Sequence, residues 1–307
     1  MVIAKLSGGL GNQMFQYACA IAVAEHLECE CKFDLDWFDY STLHNGLEIH
    51  NVFGVELPRA TPLDVKAVLG WRSPIIMALG PRILSEKISF FTRKLMLTEH
   101  AFSGFIEKRA KKGGDVYMAG YWQSEDYFLD KKKVICSAFQ FIDTSNANEY
   151  ENKIINSRHP VSMHIRRGDY VTDKKSNDLL GVCSINYYRQ AAKDLENRLD
   201  ETPTYFVFSD DLNWAKEQLD FLENIVFVEG NEGAKSYLDM YLMSLCEHHV
   251  IANSSFSWWG AWLALSKNKI VYAPSPWFNQ GEALKSICPS RWLLMDKNIK
   301  GSLAHVD

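Results

Sequence analysis

A chain of 307 residues, 47% hydrophobic and 23% charged, has the make-up of an ordinary globular protein with one large or two medium domains. Its net charge of -5 argues against a nucleic-acid binder, which gains affinity from a basic surface that releases counterions. Seven scattered cysteines with no C-x-x-C pair argue against a disulfide framework and read as thiols in a reducing compartment.

No basic n-region and apolar h-region precede the first apolar run, so a cytoplasmic location is expected. The run "VIAKL" reads as a strand over 2 to 6, followed by the glycine-rich "SGGLGNQ", a helix over 12 to 27 and a strand over 30 to 34. A strand, a tight glycine turn and a helix start aim free N–H groups at whatever sits in the turn, commonly a phosphate. The dinucleotide fingerprint G-x-G-x-x-G has Gly9 and Gly11, and Asp34 stands where a ribose-binding carboxylate would. Met14 replaces the third glycine, which weighs against a nicotinamide-dependent oxidoreductase. A plain glycine turn without ligand is the other reading.

Residues 37 to 115 are harder to read, mixing short helical patterns with Pro58, Pro62, Pro74 and Pro81. Within them, 70 to 112 hold nine Lys/Arg against three Glu, with Trp71, Phe90, Phe91, Phe102 and Phe105 interspersed. That is a solvated basic face or a peripheral membrane contact. After "VYMAG" come Tyr121, Trp122 and Tyr127, aromatics suited either to stacking on a sugar face or to core packing.

From about residue 158, short apolar runs ("VSMHI", "TYFVF", "NIVFV", "HVIA", "KIVYA") alternate with helical patterns. That register predicts a parallel sheet wrapped by helices. Two Rossmann-like α/β domains follow, over 1–157 and 158–307. Ligands of such sheets lie beyond the C-terminal strand ends, which here carry Arg166, Arg167, Gly168 and Asp169; Ser209, Asp210 and Asp211; and Asn253, Ser254, Ser255 and Ser257. Guanidinium, carboxylate and hydroxyl groups at a helix start suit a nucleoside diphosphate. Each segment has a structural alternative: Arg167 turning aside into an ion pair with Asp169, the "SDD" turn and the serines acting as helix N-caps.

The segments "GGLGNQMFQYA", "GYWQSEDYF", "HIRRGDY", "GVCSINYY", "FSDD" and "NSSFSWWGAWL" resemble, in order and spacing, the bacterial α-1,2-fucosyltransferases of glycosyltransferase family 11. The resemblance implies a GT-B fold whose two Rossmann-like domains face a central cleft. It implies a GDP-β-L-fucose donor, a galactose-terminated oligosaccharide acceptor, inversion, and no metal or other cofactor. By the same transfer, Arg166 grips the β-phosphate, while His164 and Asp210 or Asp211 contact the guanosine. Ser254 and Ser255, with Asn253 and Arg167 beside the site, take the pyrophosphate, and Gly11 and Asn12 close over it. Gln13, Phe15, Tyr121 and Trp122 are acceptor candidates, Gln13 and Phe15 having helix-start packing as the alternative.

Charge building on departing GDP is met either by a divalent ion on "DLD" at 34 to 36 or by Arg166 and a helix N-terminus. No second acidic cluster accompanies Asp34 and Asp36, and adjacent His248 and His249 should point apart on a strand, a poor metal pair. Asp169, ahead of Asp173, is the candidate base, with unassisted proton loss as the alternative. A non-catalytic glycan-binding protein would have no need of paired arginines and carboxylates at strand ends.

Overall fold

The computed structural model describes residues 1–41, 44–69, 96–97, 115–279 and 287–300. The basic aromatic stretch 70–112 lies outside them, apart from Met96 and Leu97. Two compact units are present, Met1–Ile142 and Asp143–Asp307.

In the first unit four parallel strands run in the order β2-β1-β4-β3: β1 Val2–Lys5, β2 Cys31–Asp34, β3 Met96–Leu97 and β4 Val116–Met118. Val2, Ile3 and Ala4 are all buried, as expected of a parallel strand covered on both faces. The crossover helix Leu10–Leu27 is apolar nearly all round, with Ala18, Ala20, Ala22 and Val23 fully buried. It begins two residues before the expected start at 12: Gly8, at φ 79°, makes the turn, Gly9 is the cap, and Gly11 and Asn12 are already helical. It stops at Glu28, whose left-handed conformation turns its own N–H and that of Cys29 back onto the last carbonyls.

The second unit is a six-stranded parallel sheet ordered β10-β9-β8-β5-β6-β7. Its strands are β5 Pro160–Ile165, β6 Thr204–Ser209, β7 Ile225–Phe227, β8 His248–Val250, β9 Val271–Ser275 and β10 Leu293–Asp296. From β5 the chain winds outward through β6 and β7, then returns to β8 on the other side and winds out through β9 and β10. The order therefore reverses between β5 and β8, which makes their C-terminal ends the topological switch point. Strand alternation divides the core. Val161, Met163, Ile165, Tyr205 and Val207 meet the helix Ile185–Leu199 on one face. Phe206 and Phe208 meet Leu238, Leu242 and Met243 of the helix Tyr237–Leu245 on the other.

The division between units corrects the sequence boundary of 157/158. Ala147 and Ile154 pack with Phe206, Phe208 and Leu242, so residues 143–157 belong to the second unit. The helix Ser255–Leu263 is anchored by Trp258, Trp259 and Trp262, all buried, with the rings of Trp258 and Trp262 stacked at 6.0 Å. Among the described residues no helix is long and apolar enough to cross a membrane.

Candidate active site

At the switch point the two arginines diverge. The Arg166 guanidinium donates to Asp169 Oδ1 at 2.7 Å and lies 3.0 Å from Asp210 Oδ2, about a third of the side chain staying exposed. Arg167, a donor-contact candidate whose structural alternative was an ion pair with Asp169, pairs instead with Asp211: its Nε donates to Asp211 Oδ2 at 3.1 Å, and the guanidinium lies 4.0 Å from the Trp214 ring centre. Asp210 Oδ1 accepts the Arg167 backbone N–H at 2.8 Å, so one carboxylate joins the β5 and β6 turns. Gly168 makes room for it, since a Cβ there would stand 2.6 Å from Asp210 Oδ2. Asp211 caps the helix Leu212–Gln218 by accepting the Trp214 N–H. The oxygens of Asp210 and Asp211 thus hold arginines and backbone, which argues against their being free to read a base edge.

His164 is 7% exposed, 6.1 Å from the Phe256 ring, and its Nδ1 is buried without a hydrogen-bond partner. Burial, with Arg166 adding to it, pushes its pKa down to about 3, so the imidazole is neutral and keeps one donor and one acceptor. The chain thus supplies no partner for this ring nitrogen at a strand end.

Asn253 has a structural task. Its Nδ2 donates to the carbonyls of Leu180, Gly181 and Trp277, and its Oδ1 faces the Cys183 thiol. The amide therefore ties loops together, a correction to its reading as a donor contact. Tyr170 adds to that tie by donating to the Asn253 carbonyl at 3.2 Å. Ser254 caps the tryptophan helix by accepting the Phe256 N–H, and Ser255 opens its first turn half-buried. Asp173 is also withdrawn from the chemistry. It caps the helix Lys174–Leu179, and hydrogen bonds from the Ser176 hydroxyl and N–H hold its pKa below the usual carboxylate range.

Two residues went unnoticed in the sequence. Asp239 lies in the first turn of the helix Tyr237–Leu245, hence on the C-terminal edge of the sheet and on the His164 face. Burial pushes its pKa up to about 7 against a hydrogen bond from Asn231 at 2.7 Å. Its signal was a lone acid within "YLDMYLM". The other is Lys297, fully buried just beyond β10.

In the first unit the polar residues after the glycine turn act as staples. Gln13 is fully buried, donating to Gly8 and Gly46 carbonyls at 2.8 Å each and accepting the Glu48 and Ile49 N–H groups. Gln16 accepts the Ser7 N–H and donates to the Gly120 carbonyl. Phe15 packs in the core near Phe128, and Trp122 is 1% exposed with its ring edge-on to Tyr127. Gln13, Phe15 and Trp122 are therefore corrected from acceptor contacts to core residues. Tyr121 remains 50% exposed, and Asn12 is half-buried, accepting from Gln123 at 2.8 Å. Gly11 is buried in the helix.

The carboxylates of "DLD" are engaged: Asp34 accepts from Tyr117 and the Asp36 N–H, and Asp36 pairs with Arg59. His248 and His249 do take different partners, the Ile270 N–H and Ser162. Among the described residues, His159, Glu247 and His248 have metal-ligand spacing, at the N-terminal end of the sheet. His248 Nδ1 accepts the Ile270 N–H, which leaves its proton on Nε2, the nitrogen facing Glu247, and breaks the ligand set.

Residues 85–293 match the model of glycosyl transferase family 11. The chain is 35% identical to an alpha-1,2-colitosyltransferase of Escherichia coli over 97% of its own length and 99% of that protein. It is 31% identical to the O-antigen biosynthesis glycosyltransferase WbnK of Escherichia coli over 89% of this chain and 93% of that one. In structure it is similar to the fucosyltransferase NodZ from Bradyrhizobium, with a TM-score of 0.56 at 15% identity over 88% of this chain and 94% of that one. That likeness concerns the fold, which is of the GT-B type.

Proposed function

The chain belongs to glycosyltransferase family 11, and from that membership we propose that it moves L-fucose from GDP-β-L-fucose to the 2-hydroxyl of a terminal galactose, inverting and metal-independent. Arg166 supports this reading best: a guanidinium about a third exposed at the switch point, held by two carboxylates and lying over Tyr170, whose hydroxyl binds the Asn253 carbonyl just ahead of a nine-residue helix. As GDP departs, charge collects on the β-phosphate. A guanidinium fork and a helix N-terminus stabilise it without reorganising.

The phosphate competes with Asp169 for the Arg166 N–H donors. Asp169 is then free to accept the proton of the acceptor hydroxyl as the bond to fucose forms. We assign the guanine edge to neutral His164 and to Asp239, in place of Asp210 and Asp211. A carboxylate takes both N1–H and the 2-amino group, a pair of donors that adenine and uracil lack. Ser254 and Ser255 serve the diphosphate at the helix start, and exposed Tyr121 is the candidate for stacking on the acceptor.

The 35% identity to a colitosyltransferase favours a second donor, GDP-colitose, whose sugar is fucose without the 3-hydroxyl. Incubation with labelled GDP-fucose, GDP-colitose, GDP-mannose and UDP-galactose, with and without lactose, tests both. Lactose-dependent transfer of fucose supports the first reading, and preferential transfer of colitose the second. Transfer from UDP-galactose alone overturns both.

A further inference from the structure

Lys297 is a buried charged residue with no role in the chemistry above. It is 0% exposed and follows β10 directly, its N–H bonded to the Ser275 carbonyl at 2.9 Å and its own carbonyl taking the Ser184 N–H at 2.8 Å. Its Nζ donates to the carbonyls of Leu180 and Trp277. The Asn253 amide donates to the same two carbonyls, at 2.8 and 3.1 Å. An ammonium thus lies immediately behind the Asn253–Ser254 turn that opens the helix Ser255–Leu263.

A buried ammonium is costly unless an anion answers it. Among the described residues no carboxylate forms an ion pair with Lys297. The ionisable groups facing it are Cys183 and, beyond, Tyr188. Burial pushes the Cys183 thiol up to about 12 and the Tyr188 phenol well above its usual range, so neither is an anion at neutral pH. Asp296, the sequence neighbour, is exposed and accepts the Asn298 N–H. The two carbonyl dipoles solvate the ammonium without neutralising it.

We propose that Lys297 is a positioning residue of the nucleotide site whose buried charge, held behind the Asn253–Ser254 turn, takes the donor's diphosphate as its counter-ion. This rests on the GDP-sugar reading and deepens it. The charge acts through Asn253 and the helix start rather than by touching the phosphates, and in a low-dielectric interior such a field decays little. By linkage, arrival of the diphosphate raises the affinity of Lys297 for its proton.

The test compares GDP with guanosine by calorimetric titration on wild type and Lys297→Met, which keeps an unbranched stem of similar length and removes the charged amine. The expected result, with folding checked by circular dichroism, is GDP affinity lower by tenfold or more and guanosine affinity within twofold. Lys297→Arg should recover part of the GDP affinity. Equal weakening of GDP and guanosine, or unchanged GDP affinity, overturns the inference. Should Lys297→Met not fold, wild type decides. Between pH 8 and 10, titrations in two buffers of different ionisation enthalpy should show proton uptake with GDP beyond that with guanosine, and equal uptake overturns the inference. Wild type that binds no GDP overturns the donor reading along with it, whereas failure of Lys297→Met to discriminate leaves that reading standing.

Discussion

Arg166 and Asp210, 44 positions apart in sequence, meet at 3.0 Å because parallel pairing sets Ile165 beside Ser209 and brings the two turns level. The same Asp210 accepts the Arg167 N–H, so the guanidinium is aimed by one carboxylate that also fixes its backbone. A pre-aimed charge costs little to reorganise when the phosphate becomes more negative. Arg166→Lys keeps a point charge but loses the fork, so kcat/KM should fall by about 2 to 4 kcal/mol, roughly thirty- to a thousand-fold. Arg167→Lys loses the stack on Trp214 and the Nε bond to Asp211, and should lower the melting temperature more than the turnover per folded molecule. Steady-state rates beside melting curves check the pair; exchanged phenotypes would overturn the assignment.

Gly168→Ala tests the aim without touching a charge. The new Cβ would meet Asp210 Oδ2 at 2.6 Å, and the carboxylate must leave either the Arg167 N–H or the Arg166 guanidinium. We expect kcat/KM lower by about tenfold or more, with loss of stability near 1 to 3 kcal/mol. A kinetically silent variant would mean that Asp210 does not orient Arg166.

Gln13 gives the opposite pattern. Gln13→Ala strands the buried Gly8 carbonyl, the half-buried Gly46 carbonyl and the two N–H groups of Glu48 and Ile49. The expected loss is about 3 kcal/mol of stability, read in denaturant melts, with acceptor KM unchanged within about twofold while the protein is folded. A raised acceptor KM without destabilisation would restore Gln13 as a sugar contact.

Legibility in the sequence followed burial pattern. The interior strands of the second unit read clearly because a parallel strand covered on both faces is a continuous apolar run, as "VSMHI" and "TYFVF" are. The edge strand "LLMD" alternates half-buried with exposed and was missed. The helix Asn148–Ile155 buries Ile154 within a polar sequence, too faint a signal to place the domain boundary. Strand-end chemistry was visible as residue types, but Arg167 and Asn253 have the same types as ligand groups and differ only in their partners. Lys297 was invisible because its Leu180 contact spans 117 positions.

Activity should survive excess chelator within about a factor of two, since guanidinium and helix-end dipoles supply the positive charge at the diphosphate. Loss on chelation with rescue by manganese would move the leaving-group chemistry to a metal site and undo the role given to Arg166.

Asp239 joins a pH dependence to a specificity, and the two fix each other's sign. Its pKa is raised from 3.8 to about 7 by burial, so between these values the unfolded chain has lost a proton that the folded protein keeps. The proton-bound state stabilises the fold fully below about pH 4, and that stabilisation is lost as pH rises through 7. Asp239→Asn, which retains an acceptor for the Asn231 amide, should match wild type in stability near pH 4 and exceed it by about 2 to 4 kcal/mol at pH 8. Function should move the other way. If the carboxylate accepts from guanine N1–H and the 2-amino group, the variant should bind GDP about tenfold or more weakly at pH 8 and discriminate poorly between GDP and IDP, which lacks the 2-amino group. Asp210→Asn and Asp211→Asn should leave that discrimination intact while lowering rate or stability. Melting curves at pH 4 and pH 8, with GDP and IDP titrations on all three variants, decide the matter. If Asp239→Asn keeps wild-type discrimination and either of the others loses it, the guanine edge returns to the "SDD" turn.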